Sequence, residues 1–244
     1  MKIIAIVEAR MTSSRLPGKV LLPVCGKPIL SYLIERLKLV KSINEIVLAT
    51  TINPTDDILV EFAQNLGIAC FRGSENDVMQ RVLDASKNSN ADVIVEITGD
   101  CPIIDPSIIE QSIQIFLHND TDYVSNAIVR SYPDGMDTQV YWTKVLQKSF
   151  EMTDDRLDHE HVTLHIRNNP QLFSLIHLIA PPELNWPELG LTLDEKSDYI
   201  LLKKLIEHFE EGMYPFSCLE AVNFLKANPE LLTINSEVIR KGNN

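Results

Sequence analysis

Short runs rich in isoleucine and valine alternate with longer segments of helical period through roughly the first 120 residues. "IIAIVEA", "INEIVLAT", "IACF" and "ADVIVEITGD" are apolar almost without interruption and end in polar or turn residues. A strand of that kind is buried on both faces, which is the state of strands in a parallel sheet. The segments between them have the other period. In "ILSYLIERLKLVK" the residues Leu30, Leu33, Ile34, Leu37 and Val40 recur at three- and four-residue steps and share one helix face. "TDDILVEFAQNLG" predicts a helix with Thr55 as N-cap and Gly67 as C-cap, and "SENDVMQRVLDASKN" one that opens with Ser74 and Asp77 in capping-box-like order. The alternation predicts an α/β fold with right-handed crossovers and helices on both faces of a mostly parallel sheet.

From Tyr123 the pattern changes. "YVSNAIV" and "DTQVYW" read as strands around the turn "SYPDGMD", and "HEHVTLHIRNN" reads as helical. "FSLIHLIA" and "LGLTLD" return to strand character before the amphipathic "EKSDYILLKKLIEHFEE". A single domain is expected over residues 1–211, with 123–180 as a smaller lobe, followed by helices and a polar tail over 212–244.

Charge makes the first loop conspicuous. The chain carries 22 basic and 34 acidic residues, a net charge of -12, which argues against a nucleic-acid-binding surface. Yet Arg10, Arg15 and Lys19 all follow directly on the first strand, at the sheet edge where ligands of open α/β folds bind. Arginine presents a planar fork to phosphate oxygens and lysine a compact charge on a flexible stem. Gly18 lets backbone amides come close to an anion, and Thr12, Ser13 and Ser14 add hydroxyls. The loop reads as a polyphosphate holder, or in the plainer account as a solvated basic loop paired with surface acids. It is neither a dinucleotide Gly-x-Gly-x-x-Gly turn nor a P-loop, since Val20 follows Gly18-Lys19.

Asp100 in "EITGDCPIIDP" stands just past a buried strand and can reach the same edge. Magnesium needs only one or two carboxylates beside phosphate oxygens and waters, so Asp100 is a candidate ligand, whereas Asp105 before Pro106 reads as a helix cap. His161 and His165 are four apart on the expected helix, but the order His-Glu-His is not a zinc-protease motif, and surface or interface histidines are the better account. Cys25, Cys70, Cys101 and Cys218 are scattered, and no signal or membrane segment is visible. Reduced thiols in a cytoplasmic protein without membrane attachment are expected.

The run Ala9-Arg10-x-x-x-Ser14-Arg15-Leu16-Pro17-Gly18-Lys19, followed by Gly26-Lys27-Pro28, resembles the signature of the sugar cytidylyltransferases. These include the 3-deoxy-manno-octulosonate and acylneuraminate cytidylyltransferases, and the likeness is greatest to the cytidylyltransferase-like proteins of spore-coat and surface polysaccharide biosynthesis. It extends to about Tyr199. The resemblance implies a Rossmann-like nucleotide-diphospho-sugar transferase fold whose opening loop, with Ala9, Arg10, Arg15, Gly18 and Lys19, holds the triphosphate of CTP. It implies Mg2+ on Asp100 and Asp194, because "LTLDEKSDY" is similar to the Val-Asp-Thr-Pro-Glu-Asp-Leu stretch of those enzymes, although Glu195-Lys196-Ser197 replace Thr-Pro-Glu. Arg72 and Ser74 would contact cytosine or ribose, with Ser74 equally readable as a helix cap. Asp134, Asp137, Gln139, Glu160 and His161 would face the acceptor, although Pro133-Asp134-Gly135 is also a plain turn signal. A homodimer is implied as well.

The implied reaction is attack of a sugar or sugar-acid hydroxyl on the α-phosphorus of CTP, giving a CMP-sugar and pyrophosphate. A nucleotidyltransferase using another NTP or an alcohol-phosphate acceptor shares the same loop. A glycosyltransferase of related fold would hold its metal with Asp-x-Asp, and Asp100-Cys101-Pro102 lacks the second acid. A non-catalytic nucleotide-binding subunit is a further alternative, opposed by the intact cations and acids.

Overall fold

A computed structural model describes residues 1–210 and 215–239. Along the chain come the strands β1 (Ile3–Glu8), β2 (Pro23–Val24), β3 (Lys27–Pro28), β4 (Glu45–Thr51), β5 (Ala69–Gly73), β6 (Val93–Thr98), β7 (Tyr123–Ser125), β8 (Gln139–Trp142) and β9 (Leu175–His177). The helices are α1 (Ile29–Leu37), α2 (Asp57–Asn65), α3 (Val78–Asn88), α4 (Pro106–Leu117), α5 (Thr143–Met152), α6 (Arg156–Glu160), α7 (Leu164–Asn168), α8 (Lys196–Glu210) and α9 (Cys218–Ala227). Among the described residues the main sheet has the order β5-β4-β1-β6-β8-β7-β9, and β2 and β3 form a separate small hairpin. Only β8 runs against its neighbours. Every other pairing in the main sheet is parallel.

The period of two along β1 divides the core. Ile3, Ala5 and Val7 pack with residues of α1, α2 and α4 on one face. Ile4 and Ile6 pack with α3, α5 and α7 on the other. This is why the strand needs an unbroken apolar run, and why "IIAIV" could be read as central. A third apolar cluster joins Ile29 and Tyr32 of α1 to α8 and α9. Residues 218–225 thus bury Cys218, Ala221, Val222 and Leu225 against the body of the fold. The expected boundary at 211/212 lies outside the described residues.

Several local expectations change. The α1 segment ends at Leu37, and Val40 keeps its place in the core through a tapering turn. Thr55 does not cap α2: Asn53 caps a preceding 3-10 turn, Pro54–Asp56, and Asp56 precedes α2 with its side chain turned inward. Asp77 is the N-cap of α3, while Ser74 accepts a hydrogen bond from the Asp77 amide. "HEHVTLHIRNN" is not one helix, because Val162 at φ 47° breaks it into α6 and α7. "LGLTLD" forms no strand and makes only an isolated bridge between Gly190 and Asp134. The four cysteines are unpaired, and no described helix is long and apolar enough to cross a membrane.

Candidate functional site

The loop after β1 is a closed turn rather than a loose arm. Gly18 donates its amide to the Met11 carbonyl at 2.9 Å and opens a 3-10 turn over Lys19–Leu21 from φ 70°, a left-handed conformation that suits glycine. The fully buried Asp56 holds the other end, accepting the Met11 amide at 2.8 Å together with the hydroxyls of Thr50 and Thr51. Thr12 donates to Glu75 at 2.8 Å, so its hydroxyl is used inside the protein. Ser13 and Ser14 remain on the cleft wall. The result is a rigid turn that sets three cations at the carboxyl edge of the sheet.

Two acids converge on that turn. Gly99 donates its amide to the Glu8 carbonyl at 2.8 Å, and a Cβ there would fall 2.6 Å from the same oxygen. Only glycine allows the end of β6 to lie so close to the end of β1, which puts Asp100 beside the loop. The Asp194 segment is docked by the Leu193 amide on the Asp100 carbonyl at 2.8 Å. The Asp194 and Glu195 amides are both capped by Asp198. In consequence Lys19 Nζ lies 2.9 Å from Asp100 Oδ2 and 3.1 Å from Asp194 Oδ1, and Arg15 lies 2.7 Å from the same Asp194 oxygen. Burial opposes both charges of the first pair, but the mutual attraction wins: Asp100 is held below the ordinary carboxylate range and Lys19 above that of a free ammonium.

These two carboxylates fit a magnesium ion. Both are hard oxygen donors that already share one cation, the Lys19 ammonium, at hydrogen-bond distance. No cluster of three or more acidic, histidine or cysteine ligands exists among the described residues. Magnesium does not require one, since phosphates and waters complete its shell.

The cleft around this centre measures about 280 Å³. Its walls include Ala9, Arg10, Arg15 and Lys19 from the loop, Arg81 from α3, and Glu160 and His161 from the C-terminal end of α6 and its cap. Arg10 is exposed and makes no hydrogen bond or ion pair with another described residue. Arg81 is 3% exposed and donates to the Ser74 carbonyl at 2.5 Å. Glu8, the last residue of β1, lines the floor, and its Oε1 is buried with no described partner. It faces Glu96, which takes Gln139 Nε2 at 2.9 Å and also bonds the Tyr141 hydroxyl. Burial is the main reason that Glu8 is pushed up to about 7, with Asp100 adding to it and Arg81 opposing.

The remaining predicted residues are distributed differently. Arg72 does not reach the cleft: its guanidinium is bound to the Thr51 and Asn53 carbonyls and to Asp57. Ser74 likewise serves the start of α3. Gln139 has its amide spent on Glu96, the Tyr123 hydroxyl and the Thr163 hydroxyl. Asp134 lies 3.8 Å from Arg130 and anchors the turn onto residues 189–191 by two backbone bonds. Asp137 lies deeper; burial, then Asp134 and Asp100, push it up to about 7. Glu8 and Glu96 escaped the sequence reading, because each is a single acid inside an apolar strand and only the pairing of β1 with β6 brings them together.

The cytidylyltransferase family model matches residues 4–230. An uncharacterized protein of Methanocaldococcus jannaschii is 39% identical over 243 residues, 99% of this chain and 97% of its own. The spore coat polysaccharide biosynthesis protein SpsF of Bacillus subtilis is 34% identical over 238 residues, 95% of this chain and 97% of its own. Among solved structures, a cytidylyltransferase from Leptospira borgpetersenii serovar Hardjo-bovis superposes with a TM-score of 0.91 at 34% identity, covering 98% of this chain and 99% of that one.

Proposed function

The chain belongs to the cytidylyltransferase family, and we propose that it transfers CMP from CTP to a hydroxyl of a sugar or sugar acid, releasing pyrophosphate, in the biosynthesis of a surface polysaccharide. The observation that carries this reading is the Lys19 ammonium shared by Asp100 and Asp194 beside Arg10 and Arg15.

Phosphoryl transfer asks a protein mainly for position and charge. Arg10, which has no hydrogen bond or ion pair among the described residues, and Arg15 would hold the outer phosphates, where charge accumulates as pyrophosphate leaves. Lys19, on its flexible stem, would follow that charge away from the carboxylates. Asp100 and Asp194 would then hold Mg2+, which when bound supplies neutralisation of phosphate charge and polarisation of the acceptor hydroxyl. Glu160 and His161, also in the cleft wall, and the more deeply set Asp137 would face the acceptor.

The test is incubation with Mg2+, each of the four NTPs and a panel of sugars and sugar acids, reading pyrophosphate. Release with CTP and one acceptor, abolished in Asp100→Asn with the fold intact, is the expected result. Release with a different NTP alone would refute the cytosine assignment, and, in a parallel arm supplied with nucleotide-sugars in place of NTPs, transfer of the sugar without pyrophosphate would make the protein a glycosyltransferase.

A further inference from the structure

Glu160 and His161 reach the cleft from a segment with little hold on the body. None of the five residues of α6 is buried, and the segment is bounded by the backbone break at Val162. Most of its bonds are internal: Asp155 caps the Leu157 amide, and Thr153 donates to Asp158 at 2.6 Å. His159 is different. Its Nδ1 lies 2.7 Å from Asp77 Oδ2, at the N-cap of α3, and its Nε2 lies 3.0 Å from the Thr153 carbonyl. The Phe150 ring covers it, with centroids 5.1 Å apart.

Both partners of the ring are acceptors. A carbonyl has no proton to give, and the other oxygen of Asp77 already accepts the Gln80 amide as the cap of α3. A neutral imidazole donates through one nitrogen only, so it would set a bare lone pair against one of these oxygens. The geometry is satisfied by an imidazolium donating on both sides.

We propose that His159 is a positioning residue whose imidazolium ties α6 to the start of α3 and so keeps Glu160 and His161 in the cleft wall. The proposal rests on the reading of that cleft as the nucleotide site.

The charged groups facing the ring are Asp77 from α3 and Asp154 from the turn before α6, while Phe150 of α5 brings none. Arg81, one turn further along α3, also draws on Asp77. Asp158 is engaged with Thr153 and lies 3.4 Å from His165. Burial disfavours the charge, but the Thr153 carbonyl and Asp77 outweigh it and raise the ring above its ordinary 6.5. The tie is therefore complete below 6.5 and is lost as pH rises through the raised value.

The full chain can be tested in three ways. In 15N-histidine spectra His159 should carry protons on both nitrogens at pH 6.5, and Asp77→Asn, which can still cap α3, should lower its midpoint. Trypsin should cut after Arg156 faster in His159→Gln than in the parent at pH 6.5, with the two converging as pH rises through the raised value of the ring. Release of labelled CTP with Mg2+ should be on the order of ten-fold faster from His159→Gln at low pH, the value of one charge-assisted hydrogen bond at a partly exposed site. A neutral His159 at pH 6.5, or a variant that matches the parent in cleavage and CTP release, overturns the proposal. If neither protein binds CTP while the spectra and cleavage behave as expected, the tie stands and the nucleotide assignment of the cleft falls.

Discussion

At Lys19 one ammonium faces Asp100 and Asp194, and removing it leaves two carboxylates opposed across the place it held. Lys19→Met should therefore lower turnover by on the order of 100-fold or more, the scale of losing a preorganised charge at a developing anion. Its stability cost at neutral pH should stay near ~1 kcal/mol, because all three groups keep some contact with water; pyrophosphate release and thermal melting read the two effects separately. Asp100 is held below its ordinary 3.8, so its pairing contributes above that value and is lost as pH falls through the depressed one. Glu8 has the opposite sign. The unfolded chain gives up that proton near 4.5 and the folded chain keeps it to about 7, so Glu8, buried facing Glu96, costs stability as pH rises between those values. Glu8→Gln should flatten the stability profile and be more stable than the parent at pH 8 by on the order of 1 kcal/mol. Equal pH profiles for the two proteins would refute this. The loop cations and Asp100 were legible because they lie in the segments that follow buried strand runs. Glu8 and Glu96 were not, since the register that pairs Glu96 with Ile6 and Glu8 with Thr98 is a property of two strands.

Among the elements, the strands and long helices could be read from period alone, since burial on two faces and on one face leave different spacings. What failed was local backbone. The break at Val162 sits in a sequence with every sign of a continuous helix, and nothing in "HEHVTLH" announces a residue at φ 47°. "LGLTLD" has strand composition, but its partner is the turn at Asp134, which offers one bridge and no ladder. The junction of β1 and β6 shows how tightly such joints are set. A methyl at position 99 would meet the Glu8 carbonyl at 2.6 Å and Ala9 Cβ at 3.0 Å, and backbone cannot yield as a flexible side chain does. Gly99→Ala should cost roughly 1–3 kcal/mol by overpacking. Because Asp100 follows directly, turnover should fall further than stability explains; a variant with the parent's melting temperature and rate would show the joint to be slack.

Across the molecule, the C-terminal residues support a carboxylate of the site, Asp194, from about forty positions further along the chain. Composition marked them as short helices and a polar tail without chemistry, and nothing in "LLTINSEV" singles out its asparagine. Asn235 is nonetheless only 8% exposed, and its Nδ2 donates to Asp198 Oδ1 at 2.8 Å and to the Gly190 carbonyl at 3.0 Å. The other oxygen of Asp198 caps the Asp194 and Glu195 amides. One line of hydrogen bonds thus runs from the tail, through the start of α8, to the backbone of a carboxylate that shares Lys19. Asn235→Ala should cost about 1–2 kcal/mol, the usual consequence of leaving buried acceptors with one donor fewer. It should also lower kcat several-fold, with smaller change in the KM for CTP, because Asp194 loses alignment while Arg10 and Arg15 remain. Asn235→Asp should be worse at neutral pH, placing a second carboxylate against Asp198, and should recover in part as pH falls and one of them takes a proton. If both variants lose stability yet keep the parent's kcat below their melting range, the tail is only a structural prop and Asp194 is aligned by its own segment.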